Sequence, residues 1–428
     1  MPSKADQIEI EPTGPLVGSV RPPGSKSLTN RALVCAALAE GDSTLHGALD
    51  SEDTQVMVEG LRRLGFGVDS DRSSGRIVVR GAAGRVPAKG ADLYVANSGT
   101  TIRFLAALTT LGHGTFRLDG TPRMRQRPIG DLIEALRQLG ADAASEHDNG
   151  CPPVIIRARG LPGVKATVRG DVSSQFLSGL LMAAPFAEEP VELSVKGDLV
   201  SKPYIRMTLE VMAAFGVEVE RLGDQRFKLP AGAAYRACEY QIEPDASAAS
   251  YFFAAAAISG GRVTVEGLSR DSVQGDVAFV DLLQRMGCQA LFEHDRITVA
   301  AGPLKGIEAD MNAISDTVQT LAAVALFADG PTTIRGVAHI RHKETDRIGA
   351  LAAELRRLGA YVDERADGLC IEPAALHGAT IETYQDHRMA MSLALVGLKT
   401  PGVIIRDPAC TAKTYPKFFE DLAGLAGQ

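Results

Sequence analysis

The chain has 428 residues, enough for two domains that each bury a sizeable core. Its 45 basic and 52 acidic residues give a net charge of −7, which excludes bulk binding to nucleic acid. Apolar stretches are interrupted by Glu, Asp or Gly after about 12 to 16 residues, short of the roughly 20 that cross a bilayer, and the opening MPSKADQIEIEP lacks the apolar segment of a signal peptide.

The first predicted element is a strand in Ile8–Pro12 (IEIEP). A small-residue apolar helix follows from Ser27 (SLTNRALVCAALAEG), then a strand (STLHG), a helix closing on LRRLG at Leu61–Gly65, and a strand (RIVVR). The same series returns from Thr100 (TTIRFLAALTTLGHG), with GTFRLDG, LRQLG at Leu136–Gly140, and PVIIRA. From Ser173 it runs SSQFLSGLLMAAPFA, PVELSVKG, VMAAFG at Val211–Gly216, and RFKLP. From Ser247 it runs SAASYFFAAAAISGG, RVTVEG, LLQRMG at Leu282–Gly287, and RITVAA. From Asp316 it runs DTVQTLAAVALFADG, TTIRG, LRRLG at Leu355–Gly359, and LCIEP. A sixth copy starts at Asp386 (DHRMAMSLALVGLKT) and ends in the helix FFEDLAGLAG with no strand after it.

The closing glycines 65, 140, 216, 287 and 359 are 75, 76, 71 and 72 residues apart. A period this long means that one supersecondary unit has been copied. Strands alternating with helices place it in the α/β class. The incomplete sixth copy needs a strand, and IEIEP reads like Cys370–Pro373 (CIEP), so the N-terminal strand is expected beside the last repeats. Six units in two groups of three give one domain over 23–244 and another over 1–22 plus 245–428. A single tandem solenoid is the alternative, and the closure of N-terminus onto C-terminus argues against it.

The starts at Ser27, Thr100, Ser173, Ser247 and Asp316 suit N-capping, and at Asp386 the neighbour is His387. Helix starts attract anions, so six equivalent starts suggest an anion-binding cleft. Basic residues cluster where the loops are expected to meet that cleft: GSKSLTNR with Lys26 and Arg31, NSGTTIR with Arg103 beside Gly99, and RMRQRP with Arg123, Arg125 and Arg127. KETDR carries Lys343 and Arg347, DHR carries Arg388, and CTAKTYP carries Lys413. Ser173, Ser174 and Gln175 add hydroxyls and an amide at a helix start. This much positive charge on glycine-rich loops of an acidic chain points to a small polyanionic substrate. Asp316 and Glu344 stand among these cations and could serve as an acid/base pair; the plainer readings are an N-cap for Asp316 and a helix ion pair for Glu344.

Ten ordered motifs carry a resemblance over nearly the whole chain: GSKSLTNRAL, DSEDTQVM, NSGTTIRFL, PRMRQRPIGDLIEALRQLGA, SSQFLSGLLMAAP, SKPYIRMTLEVM, DASAASYFFAAAAI, KETDRI, DHRMAM and DPACTAKTYPKFF. The chain resembles the 5-enolpyruvylshikimate-3-phosphate synthase family of enolpyruvyl transferases. The resemblance implies two domains, each of three βαβαββ repeats, with the active site in the interdomain cleft. It implies transfer of the enolpyruvyl group of phosphoenolpyruvate to the 5-hydroxyl of shikimate 3-phosphate, with no cofactor and no metal. Shikimate 3-phosphate is expected at Lys26, Ser27, Arg31, Ser173, Ser174, Gln175, Ser201, Tyr204, Asp316 and Lys343. Phosphoenolpyruvate is expected at Lys26, Gly99, Arg127, Gln175, Arg347, His387, Arg388 and Lys413. Asp316 is implied as the base on the 5-hydroxyl, and Glu344 with Lys26 as proton carrier at the methylene. The family is the target of glyphosate, which competes with phosphoenolpyruvate.

Three positions depart from the family's usual pattern: Ser98 stands for Ala, Phe104 for Pro, and His339 for Asn. The nearest rival is UDP-N-acetylglucosamine enolpyruvyl transferase, which has an SKN-type opening and a loop cysteine; here the opening is SKSLTNR and Arg123–Arg127 holds no cysteine. A non-catalytic anion-binding protein is the rival from another class, and the paired carboxylates weigh against it. Six scattered cysteines without a CxxC spacing fit free thiols in a reducing cytoplasm. The expected state is a cytoplasmic monomer acting on two small molecules, with no nucleic-acid or membrane partner.

Overall fold

The computed structural model describes residues 6–427. The chain divides into two compact units: Gly24–Ile242, and Glu243–Gln428 together with the segment through Pro23. Among the described residues each unit contains three small sheets.

The repeat is seen most simply in the middle of the first unit. Strand Gly90–Tyr94 is followed by helix Gly99–Thr109, strand His113–Asp119, helix Gly130–Gln138, and the hairpin Asp142–Ser145 with Val154–Arg159. The first two strands run parallel and the other pairings are antiparallel, giving a βαβαββ unit. Sequence periodicity finds only two of the four strands in each of the first five copies. The others are short or polar edge strands, such as Asp142–Ser145 (DAAS) and Glu220–Leu222 (ERL), and carry little alternating pattern.

Three copies are completed by a distant strand, one in the first unit and two in the second. Glu239–Gln241 pairs in parallel with Glu40–His46. Val17–Val20 pairs in parallel with Arg262–Glu266. The last copy ends early, and Gln7–Ile10 lies antiparallel to Val403–Arg406 in a sheet of three strands. This is the role that Gly368–Glu372 plays against Thr332–Arg335, so IEIEP fills the place that its likeness to CIEP indicates.

The five repeated glycines have φ from +87° to +115°. This left-handed turn ends each amphipathic helix, and glycine adopts it without steric cost. The other three helices of each unit are buried on every side. In Ala246–Ser259 all fourteen residues are buried, because its alanines and serines leave room for neighbouring helices to approach closely. Helix Ala246–Ser259 packs with Val318–Ala325 and His387–Gly397. Where the three meet, Ser250 Oγ is 3.1 Å from Thr320 Oγ1, which is 3.3 Å from Ser392 Oγ. These hydroxyls satisfy one another where isolated ones would carry a desolvation penalty. Among the described residues no helix is long and apolar enough to cross a membrane.

Candidate active site

The helix starts differ from the sequence expectation in a regular way. Ser25, Ser98, Ser173, Asp245 and Asp386 are the caps, each accepting a backbone N–H through its side chain. Ser27, Thr100 and Ser247 are instead second residues of their helices. Their hydroxyls project from the first turn, while the extended residue two places earlier does the capping. Asp316 caps nothing. It sits in the 3₁₀ turn Ser315–Thr317, ahead of helix Val318–Ala325, with its carboxylate turned to cations.

In the unit Gly24–Ile242 the expected residues form two groups. The first surrounds Arg31, which is 1% exposed. Its Nε donates to Thr208 Oγ1 at 2.8 Å, Nη1 to the Ser27 carbonyl at 2.9 Å, and Nη2 to Ser178 Oγ at 3.3 Å and the Tyr204 carbonyl at 3.2 Å. The guanidinium also lies over Phe104 at 5.3 Å and Tyr204 at 5.9 Å. Burial lowers its pKa to about 10, so it keeps its charge at neutral pH. Lys26 and Ser27 begin this helix, and Ser201, in a left-handed conformation at φ +53°, begins the helix that carries Tyr204.

The second group surrounds Gly99. Arg127, 3% exposed, donates from Nη1 to the Asn97 carbonyl at 3.0 Å and to its side-chain oxygen at 3.2 Å. Arg103 donates to Gln175 Oε1 at 2.5 Å, and Gln175 Nε2 donates to Thr100 Oγ1 at 3.2 Å. Both ends of the Gln175 amide are thereby fixed beside the buried Ser174. A Cβ at Gly99 would meet the guanidinium groups of Arg127 and Arg103. An added methyl group there would have to push these guanidinium groups aside. Gly99→Ala is expected to displace Arg127 and raise KM for phosphoenolpyruvate at least about tenfold, the effect of roughly 1.4 kcal/mol; an unchanged KM in steady-state assays would remove Gly99 from that pocket. The arginine-rich loop divides. Arg125 is exposed and paired with Asp119 at 2.6 Å, so of Arg125 and Arg127 it is Arg127 that turns to Gly99.

In the unit built mainly from Glu243–Gln428 the charged residues converge into one network. Arg347, 1% exposed, donates from Nε to Asp386 Oδ2 at 2.8 Å, from Nη1 to Asp316 Oδ1 at 3.2 Å, and from Nη2 to Glu344 Oε2 at 2.8 Å. Arg388 Nη2 donates to Asp316 Oδ2 at 2.8 Å. Lys343 Nζ is 3.7 Å from Asp316 Oδ1. Lys413 Nζ donates to Glu344 Oε1 at 2.7 Å. Asp316 thus faces three cations and Glu344 two, with Arg347 common to both. Glu344 does make an ion pair three residues from Arg347, but it lies outside helix Arg347–Arg357, whose cap is Asp346. The Lys413 contact exceeds what a helix pair requires.

Two histidines in this unit stay neutral. Burial lowers His339 to about 3, helped by Lys343, while Asp316 opposes the shift; its Nε2 lies 2.9 Å from Ser315 Oγ. Burial, then Arg388 and Lys413, push His387 well below the ordinary histidine range. Neither His387 ring nitrogen has a hydrogen-bond partner among the described residues.

The model of the family described as EPSP synthase (3-phosphoshikimate 1-carboxyvinyltransferase) matches residues 10–422. The chain belongs to the EPSP synthase family. A 3-phosphoshikimate 1-carboxyvinyltransferase of Nostoc punctiforme is 51% identical over 417 residues, covering 97% of this chain and 98% of the relative. One from Shewanella denitrificans is 46% identical, covering 98% and 99%. A solved EPSP synthase from Acinetobacter baumannii superposes with a TM-score of 0.81 at 27% identity, covering 98% of both chains. The fold is the two-domain enolpyruvyl transferase fold.

Within this EPSP synthase family member, the three departures fall at informative places. Ser98 caps the Gly99 helix, Phe104 lies against Arg31, and His339 bonds to the neighbour of Asp316. Sequence reasoning missed Asp386 as the anchor of Arg347, although it lies in the DHR motif. It also missed Asp276, which accepts from Ser247 and is raised to about 6, chiefly by burial and then by Asp316. No pattern around Asp276 in GDVAFVD signals that burial.

Proposed function

We propose that Asp316 and Glu344 carry the two proton transfers of 3-phosphoshikimate 1-carboxyvinyltransferase activity, the activity of this family in the shikimate pathway. The observation that carries this reading is the sharing of Arg347 between the buried Glu344, which also holds Lys413, and the partly buried Asp316, which also holds Arg388. EPSP synthases use shikimate 3-phosphate and phosphoenolpyruvate. Asp316 takes the proton of the 5-hydroxyl as its oxygen bonds to C2 of phosphoenolpyruvate, while Glu344, with Lys26, delivers a proton to the methylene carbon. The tetrahedral intermediate then loses a proton from that methyl group and expels phosphate, restoring the double bond. An incoming phosphate or carboxylate competes with Asp316 for Arg388 and Lys343, and with Glu344 for Lys413. A carboxylate that gives up a cation becomes a stronger base.

In this proposal Lys26, Ser27, Arg31, Ser173, Ser174, Gln175, Ser201, Tyr204, Asp316 and Lys343 serve shikimate 3-phosphate. Lys26, Gly99, Arg127, Gln175, Arg347, His387, Arg388 and Lys413 serve phosphoenolpyruvate, with His387 offering a neutral ring. The charge-assisted bonds of arginine and lysine suit three anionic groups. The enzyme is proposed to act as a monomer in the cytoplasm. Phosphate release from phosphoenolpyruvate is expected with shikimate 3-phosphate and not with UDP-N-acetylglucosamine. Release with the UDP-sugar alone would reverse the assignment.

A further inference from the structure

Glu354 is fully buried, and neither substrate list includes it. Its Oε2 accepts the backbone N–H of Glu382 at 3.1 Å, and its Oε1 accepts the Tyr384 hydroxyl at 2.8 Å. The segment it holds leads directly into Asp386–Arg388. Within that segment Tyr384 and Gln385 have φ of +54° and +55°. Two successive non-glycine residues in the left-handed region need outside support. The Asp386 N–H then donates to the Thr383 carbonyl at 2.9 Å, closing the turn. Asp386 in turn binds Arg347 through both oxygens and accepts the Arg388 N–H at 2.9 Å.

Helix Arg347–Arg357 therefore grips this segment twice: Arg347 holds Asp386, and Glu354 holds the turn before it. Among the described residues, three of the six other left-handed non-glycine residues precede or occupy proposed substrate segments, while Ala83, Asp148 and Val164 do not. Ala96 comes before Asn97–Gly99, Asp407 comes before Pro408–Lys413, and Ser201 is itself a proposed contact. Conformations that local sterics disfavour persist where surrounding contacts enforce them.

We propose that the Glu354 carboxylate and the Tyr384 hydroxyl form a clasp that holds residues 384–385 in this turn and so sets the positions of Arg388 and, through Asp386, Arg347. Glu354 and Tyr384 are positioning residues for phosphoenolpyruvate. This rests on the reading of Arg347 and Arg388 as phosphoenolpyruvate contacts. A carboxylate suits the task because it accepts two donors at once, whereas an amide offers a single oxygen. Burial and the bond to Glu354 raise the Tyr384 phenol to about 12, so it remains a donor at neutral pH.

The test uses Tyr384→Phe and Gln385→Gly in the full chain. Tyr384 is 40% exposed, so its variant is expected to fold, and glycine adopts positive φ freely. KM for phosphoenolpyruvate should rise roughly five- to twentyfold in Tyr384→Phe, as small misplacements of binding groups raise it; Gln385→Gly, which adopts the turn without support, should leave KM near the parent value and reduce the rise when combined with Tyr384→Phe. KM for shikimate 3-phosphate should stay within about twofold, and the melting temperature of Gln385→Gly should not fall. Unchanged KM for phosphoenolpyruvate in Tyr384→Phe, equal rises for both substrates, or the same rise in the double variant as in Tyr384→Phe alone overturns the clasp. Arg388→Lys separates the two levels of the argument. If it leaves KM for phosphoenolpyruvate unchanged, the underlying assignment fails and the clasp with it; if it raises KM while Tyr384→Phe does not, the clasp alone fails.

Discussion

Asp316→Asn is expected to slow turnover roughly 10²- to 10⁴-fold, the usual worth of a positioned acid or base. Both Asp316 oxygens are engaged, Oδ1 by Arg347 and Lys343 and Oδ2 by Arg388. An asparagine must turn its amide N–H toward one of these cations, so some loss of stability accompanies the loss of basicity. The two effects separate by measurement. Titration with shikimate 3-phosphate reports whether the pocket survives, and turnover is expressed per folded molecule. If Asp316 only balances charge, the variant melts earlier yet turns over within a few-fold of the parent. A stable variant that binds shikimate 3-phosphate and fails to turn over supports the base.

Glu344→Gln tests the second proton. Glu344 is 8% exposed and holds Lys413 at 2.7 Å and Arg347 at 2.8 Å. The amide can keep one of these and must leave the other facing an N–H, at a cost of about 1–3 kcal/mol for the buried mismatch. Turnover should again fall roughly 10²- to 10⁴-fold. The distinguishing signal is exchange of solvent deuterium into the methylene of phosphoenolpyruvate, which requires a group that gives and takes the proton at that carbon. Exchange at the parent rate in the Gln variant would transfer this role away from Glu344. Slow exchange together with intact binding of both substrates would keep it there.

The repeat was legible because its punctuation is chemical. A left-handed glycine must end each amphipathic helix, and small residues must fill helices that are buried all round. Edge strands such as Asp142–Ser145 escaped notice because one exposed side removes the alternation that marks a strand. Cap positions were read two residues late at Ser27, Thr100 and Ser247, since serine and threonine suit both the cap and the first turn. At the site, single motifs identify Lys343, Glu344 and Arg347, which are neighbours in sequence. The convergence of Asp316, Asp386 and Lys413 on them depends on three separate loops. Burial is a property of the packed fold, so Asp276 and Glu354, carboxylates in ordinary-looking helical sequence, could not be singled out.

The strand pairings also set an order of assembly. Gly24–Ile242 is continuous and can be completed from its own residues. Val17–Val20 must wait for Arg262–Val265, and Gln7–Ile10 for Val403–Arg406, before either gains a partner. During synthesis Gln7–Ile10 therefore stays without its strand partner until Val403–Arg406 emerges, whereas Val17–Val20 can pair once Arg262–Val265 is made. At equilibrium this long wait costs little. Closing a loop about five times the length of one repeat adds only about 1.5 kcal/mol of entropy, because the cost grows with the logarithm of length.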